Sequence, residues 1–216
     1  MCNAYHVGPD IDFFSLLEAL GADWAGEPWN DEPAGADIRP TDLAPVVRAV
    51  DGRRTASRLR WGLVPPWAGD PRDFTRRYLT TNARVESAAE SRTYSDPLRH
   101  RRCLVPAAWI IEWSTPPDWK KGRKKPRFHI RRRDGGPLVM AGLWDRWRGA
   151  GAVLESFSVL TGRAAADTLS LHERSPVFLL DADAWRRWLD PANDPQAMAD
   201  LLAPAPPGTL VALPAG

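Results

Sequence analysis

Seven short apolar or alternating runs, each bounded by turn residues, constrain this chain more than any other feature. They read APVVRAV (44–50), RLRWGLV (58–64), RCLVPAAWIIEW (102–113), RFHIR (127–131), PLVMAGLW (137–144), VLESFSVLTG (153–162) and SPVFLL (175–180). Short runs with two-residue alternation, punctuated by Gly, Pro, Asn and Asp, are strand signals. Asp134-Gly135-Gly136 is expected to close a hairpin between two of them. Helical signals are fewer. DIDFFSLLEALGA puts Phe13, Leu16, Leu17 and Leu20 on one face, with Asp10 or Asp12 as cap and Gly21 as terminator. Further helices are expected in ESAAESR (86–92), Ala164–Ser170, DADAWRRWL (181–189) and DPQAMADLLA (194–203), and a Gly/Pro-rich loop over Ala25–Pro40. A last strand and a loosely ordered tail fill about 204–216. Mostly antiparallel strands with helices packed outside predict an α+β domain around a distorted barrel or folded sheet.

The 216 residues suit one domain, and 44% hydrophobic with 26% charged residues is the profile of a chain that buries a core. No run approaches the ~18 apolar residues of a membrane span, and the N-terminal stretch lacks the basic and apolar regions of a signal peptide. A cytoplasmic location is therefore expected, with Cys2 and Cys103 as thiols. The four histidines show no paired ligand spacing, so neither a metal nor a cofactor is expected. Lys120–Arg133 reads KKGRKKPRFHIRRR, nine basic residues and no acidic one, so the rest of the chain is net acidic. Such a segment is either a phosphate-binding face or a solvated hairpin. Among eleven tryptophans, Trp144, Trp147, Trp185 and Trp188 are spaced for the core, and any left outside it invite a stacking role.

Candidate chemistry begins at MCNAYHVG. Cysteine is small enough for an initiator Met to be removed before it, which leaves Cys2 with a thiol and a free α-amine on adjacent carbons. In AAWIIEWS, alternation puts Ile110 and Glu112 on one strand face and Ile111 and Trp113 on the other. Glu112 is then either a desolvated carboxyl of raised pKa or a strand-end Glu facing water. His172 either moves a proton near neutral pH or is a hydrogen-bonded core histidine. Asn82 either orients a substrate hydroxyl or amine, or caps the helix near Glu86. Arg84 either grips a phosphate or sits in water.

RWGLVPPWA (60–68), TNAR (81–84), RCLVPAAWIIEW (102–113), AGLW (141–144) and LHERSPVFL (171–179), in this order behind Met-Cys, resemble the SRAP family, the SOS response-associated peptidases or abasic-site processing proteins. The resemblance runs from Cys2 to about Leu180 and implies a single SRAP domain over 1–216 with the family's barrel-like core. It further implies binding of abasic single-stranded DNA, with covalent crosslinking through the processed N-terminal cysteine and associated (auto)peptidase and lyase activities; a monomer is expected because nothing in the sequence demands more. A cytoplasmic protein joining the nucleoid when bound to DNA follows. Carried over residue by residue, the resemblance makes Cys2 the nucleophile, Asn82, Glu112 and His172 the other catalytic positions, Arg84 a phosphate contact, and Trp67 an aromatic near the bases. Lys120, Lys121, Arg123, Lys124 and Lys125 join them as candidate DNA contacts on charge. The chain departs from the family pattern where Asn3-Ala4 replace Gly-Arg, where Trp109-Ile110-Ile111 replace Gly, an aromatic and Tyr, and where Ser175 replaces Met.

An abasic sugar opens to an aldehyde, and an α-amine of pKa about 8 is substantially neutral at cellular pH and attacks it to form an imine. The neighbouring thiol closes on the imine carbon to give a five-membered thiazolidine, favoured because ring closure is intramolecular. Two rival readings stand beside this one, the first on the same residues and the second on the basic segment and exposed Trp. One is a cysteine peptidase with Cys2 as nucleophile and His172 as base; the other is a nucleic-acid-binding module without chemistry.

Overall fold

The computed structural model describes residues 3–8, 13–25 and 35–215. The chain opens with β1 (Tyr5–Val7), α1 (Phe13–Leu20), β2 (Asp23–Trp24), β3 (Ala36–Ile38), β4 (Leu43–Val50) and β5 (Arg53–Trp61). There follow α2 (Pro71–Arg77), β6 (Asn82–Arg84), α3 (Val85–Ala88), α4 (Ser95–His100), β7 (Arg102–Ala107) and β8 (Trp109–Trp113). The C-terminal half adds β9 (Arg127–Arg132), β10 (Leu138–Gly149), β11 (Ala152–Arg163), β12 (Arg174–Pro176), α5 (Ala182–Leu189), a 3-10 helix (Pro195–Leu202) and β13 (Leu210–Ala215).

Two sheets result. The larger runs β12-β11-β10-β7-β4-β5-β2, with β6 also on β11; the smaller runs β13-β9-β8-β1-β3. β5 returns to pair in parallel with β11, Ser156 beside Arg60 and Phe157 beside Trp61. That closure joins β4, β5, β7, β10 and β11 into a five-stranded ring, the barrel core of an α+β fold. Alternation sorts its side chains into two clusters. Val46, Leu59, Trp61, Val105, Phe157 and Val159 turn toward the small sheet and pack with its Tyr5, Val7, Ile110, Ile130 and Leu210. Val47, Leu104, Ala141 and Leu160 turn the other way, under Leu16 and Leu20 of α1 and Trp185 and Trp188 of α5. All four tryptophans expected in the core are buried.

Several boundaries differ from the sequence reading. α1 ends as expected at Gly21 (φ +58°), while its candidate caps Asp10 and Asp12 lie outside the described residues. The 102–113 run is two strands in different sheets, because the chain passes from one sheet to the other at Ala108. Asp134-Gly135-Gly136 turns the chain but closes no hairpin: β9 belongs to the small sheet and β10 to the large one. Two tight hairpins among the described residues lie instead at Asp51-Gly52 (φ 50° and 75°), between β4 and β5, and at Ala150-Gly151 (φ 49° and 75°), between β10 and β11, where paired positive φ matches the strands' twist. Ala164–Ser170 forms turns rather than a helix, and 194–203 winds as a 3-10 helix begun by Pro195. The last strand expected in 204–216 is present as β13, an edge strand paired along all of β9 with Leu210 fully buried, whereas the loosely ordered tail expected beside it is not, since pairing runs to Ala215. No helix among the described residues is long and apolar enough to cross a membrane.

Candidate active site

β8 fixes Glu112. Ile110 points into the space between the sheets, so two residues on Glu112 does too, and it is only 4% exposed. Phe128 of β9 stands opposite it. The water-facing alternative is thereby excluded, and burial pushes the carboxyl pKa up. Ile111 donates from its N–H to the Ala4 carbonyl (2.9 Å), which draws Asn3 and Ala4 alongside Ile111 and Glu112. Cys2 lies outside the described residues.

β6 presents Asn82 and Arg84 from the facing sheet. They pair with Val159 and Thr161 of β11, and Val159 belongs to the cluster between the sheets, whereas Ala83 and Leu160 face the helices. The cap of α3 is Arg84, without a side-chain cap bond, so Asn82 does not serve as the helix cap. A chain of contacts ties the two walls together. Tyr5, beside Ile110, meets Trp61 edge-on at 5.1 Å, and Trp61 donates its indole N–H to the Thr81 carbonyl (2.8 Å), one residue before Asn82. The Tyr94 hydroxyl meets the Asn82 carbonyl at 3.4 Å.

His172 sits where the turns after β11 enter β12. Its Nδ1 accepts the Arg174 N–H (2.9 Å), so the neutral ring carries its proton on Nε2. Burial lowers its pKa, which keeps the ring neutral near pH 7. β12 reaches the same point of β11 as β6 does, since Thr161 pairs with both Arg84 and Pro176. Arg174 grips Glu86 through two bonds of 2.9 Å and donates to the Thr161 carbonyl (2.7 Å). That ion pair pulls the Glu86 pKa down and raises that of Arg174. Sequence reasoning missed both residues. Their partnership crosses 88 positions, and only the charged pair in HERS next to His172 signalled Arg174.

Asn82, Arg84 and His172 thus gather at the C-terminal half of β11, with Glu112 facing from the small sheet. Trp67 lies on the loop after β5, 43% exposed, with Arg92 over its ring at 4.2 Å. Lys120, Lys121, Arg123, Lys124 and Lys125 are exposed in the loop from β8 to β9, which leaves the sheet beyond Trp113, immediately after Glu112. Lys125 is held by Thr115 Oγ1 (2.8 Å) and sits 4.9 Å over Trp119. Cys103 is a free, fully buried thiol whose pKa burial drives up, so it is no nucleophile.

Fold and site together define a small α+β protein whose strand barrel and second sheet hold a buried carboxyl, Glu112, between them, with a half-buried imidazole at His172 and exposed cations in the loop after β8. A model of the family described as SOS response associated peptidase (SRAP) matches residues 1–215, and the chain belongs to that family. It is 34% identical over 158 residues to abasic site processing protein YMR114C of Saccharomyces cerevisiae, covering 73% of this chain and 40% of that protein. It is 32% identical over 149 residues to abasic site processing protein YoqW of Bacillus subtilis, covering 68% of this chain and 63% of that one. The match therefore spans less than two-thirds of either relative. The crystal structure of a Bordetella bronchiseptica protein superimposes with a TM-score of 0.78 at 30% identity, over 100% of both chains.

Proposed function

We propose that this protein processes abasic sites in single-stranded DNA by forming a covalent crosslink from Cys2, once Met1 is removed, and so shields the lesion. The names of its curated relatives support the lesion class. The observation that carries the chemistry is the placement of Asn3 and Ala4 beside buried Glu112, with Asn82 facing across the gap.

The α-amine adds to the C1 aldehyde of the ring-opened sugar, and loss of one water gives an imine. The thiol then adds across C=N, its sulfur to carbon and its proton to nitrogen, so thiazolidine formation releases one water in all. The two titratable groups are pushed in opposite directions: Glu112 toward the neutral acid, His172 toward the neutral base. Glu112 accordingly delivers a proton to the hydroxyl that leaves as water. His172 takes the proton from the sugar hydroxyl as the ring opens, and Asn82 holds the reacting groups in register. Arg84 and the exposed lysines hold the strand by its phosphates. While Met1 remains, the Cys2 nitrogen is an amide and forms no imine.

The test incubates mature protein with an abasic single strand, an abasic duplex and an intact strand, and resolves the products on a denaturing gel. The reading predicts a shifted band with the abasic single strand, lost in Cys2→Ala. A shifted band that survives that substitution, or none with wild type, refutes it.

A further inference from the structure

An exposed apolar patch around α2 takes no part in the chemistry above. The helix begins on an Asp70 cap, which accepts the Arg72 and Asp73 N–H groups (2.8 and 3.0 Å), with Pro71 in its first turn. Its inward residue, Phe74, packs with Val64, Ala68 and Trp147. The residues flanking Phe74 face outward instead: Trp67 is 43% exposed, Tyr78 56% and Leu79 70%. Tyr78 ends the helix with its N–H on the Phe74 carbonyl (2.9 Å), and the extended backbone there leaves both Tyr78 and Leu79 in solvent. Large apolar groups gathered in one exposed place mark a binding surface.

The patch is held rigid and joins the candidate active site. Phe74 meets Trp67 edge-on at 5.5 Å and Tyr78 at 4.9 Å, so three rings form one ladder anchored by its buried middle ring. Arg92 crosses the Trp67 ring at 4.2 Å, and its carbonyl accepts the indole N–H at 3.4 Å. Two residues on, the Tyr94 hydroxyl meets the Asn82 carbonyl. Along the chain Tyr78 stands four residues before Asn82, at most about 14 Å away. Charge selects the occupant. Arg77 and Arg92 are exposed and make no ion pair among the described residues, whereas the nearby acids are engaged: Asp70 in the cap, Asp73 with Arg76 at 3.7 Å, and Glu86 with Arg174. Exposed rings beside unpaired guanidinium groups complement a single strand, which offers a phosphate at every step and an unpaired base face at every residue.

We propose that α2 and the two residues after it carry the unpaired DNA strand that flanks the lesion, with bases against Tyr78 and Leu79 and a phosphate on Arg77. The choice of DNA as occupant rests on the function proposed above. The distance from Asn82 is a reach of a few nucleotides, so the surface lengthens the footprint beyond the reacting sugar.

The experiment measures fluorescence anisotropy of two labelled strands of about 15 nucleotides, one of thymidines and one with a tetrahydrofuran spacer in place of every nucleoside. Neither holds an aldehyde, so binding is read without crosslinking. Tyr78→Ala combined with Leu79→Ala should weaken the thymidine strand about tenfold and the spacer strand by less than about twofold. Arg77→Gln should weaken both and lower the slope of log K against log salt by about 0.7, while Arg186→Gln, at an exposed position of α5, should not. Unchanged affinity in both α2 variants, equal loss on the two strands in the Tyr78-Leu79 variant, or no binding by wild type overturns the proposal. Wild type that sediments as a dimer, returned to monomer by the Tyr78-Leu79 substitutions, assigns the patch to a second copy of the chain and also overturns it. Crosslinking to an abasic strand is scored in parallel on wild type. Strand binding through α2 in a protein that forms no crosslink refutes the chemistry proposed above and not this surface. A protein that crosslinks while its strand affinity ignores α2 refutes the surface alone.

Discussion

Trp61→Phe tests the link that joins the two walls of the site. The indole is fully buried and donates to the Thr81 carbonyl at 2.8 Å. Phenylalanine keeps a ring against Tyr5 but removes the N–H and about 40 Å3 of side chain, worth about 1 kcal/mol of cavity cost if the surroundings do not collapse. The missing hydrogen bond adds about 1 kcal/mol, at the low end for a buried group, because the Thr81 carbonyl still accepts the Val159 N–H (2.9 Å). The sum, about 2 kcal/mol, corresponds to a fall in Tm of about 4–8 °C for a chain of this size. Trp185→Phe is the matched control: it removes the same kind of bond, to the Leu179 carbonyl (2.7 Å), on the helix side of the barrel. Both variants should lose similar stability in calorimetry. Only Trp61→Phe should also slow crosslinking to an abasic strand, by about tenfold, since Thr81 positions Asn82. Equal crosslinking rates in the two variants at matched stability would refute the coupling.

Three further outcomes are expected. The Glu112 pKa is raised on folding, so the stability its neutral form contributes is full below its ordinary 4.5 and is lost as pH rises through the folded value. Glu112→Gln should therefore gain Tm relative to wild type across that window and hold the gain above it; parallel Tm–pH curves would contradict the burial argument. Replacing Lys120, Lys121, Arg123 and Lys124 with Gln should weaken strand binding and flatten the log K against log salt slope by about 0.7 for each phosphate no longer neutralised, whereas an unchanged slope puts the loop off the DNA. Glu86→Gln should cost only about 0.5–1 kcal/mol in denaturant unfolding, because that carboxylate is half exposed, and a cost several times larger would mean that the pair anchors β12 more deeply than its geometry shows.

What was legible in the sequence was local. Alternation in AAWIIEWS placed Ile110 and Glu112 together, and the structure keeps them so because one face of β8 is buried. The amphipathic repeat of α1 and its Gly21 stop survived for the same reason. Sheet membership was not legible. Nothing within RCLVPAAWIIEW marks Ala108 as the crossing between sheets, and a Gly-Gly turn serves a sheet change as well as a hairpin, so Asp134-Gly135-Gly136 misled. Residues 164–170 have helix-forming alanines, but they are held as turns by tertiary contacts such as the Ala164 N–H to Glu173 carbonyl bond (2.9 Å). Within the site, Arg174–Glu86 and Tyr5–Trp61–Thr81 are partnerships between distant segments, which no spacing rule reaches.

Peptide mapping of the purified crosslink by mass spectrometry tests the central claim most directly. The account predicts that the sugar remnant sits on the peptide beginning at Cys2, with Met1 absent and the mass of one water missing from the sum of the partners. A remnant on a lysine such as Lys125, or a linked peptide that still begins with Met1, would contradict it.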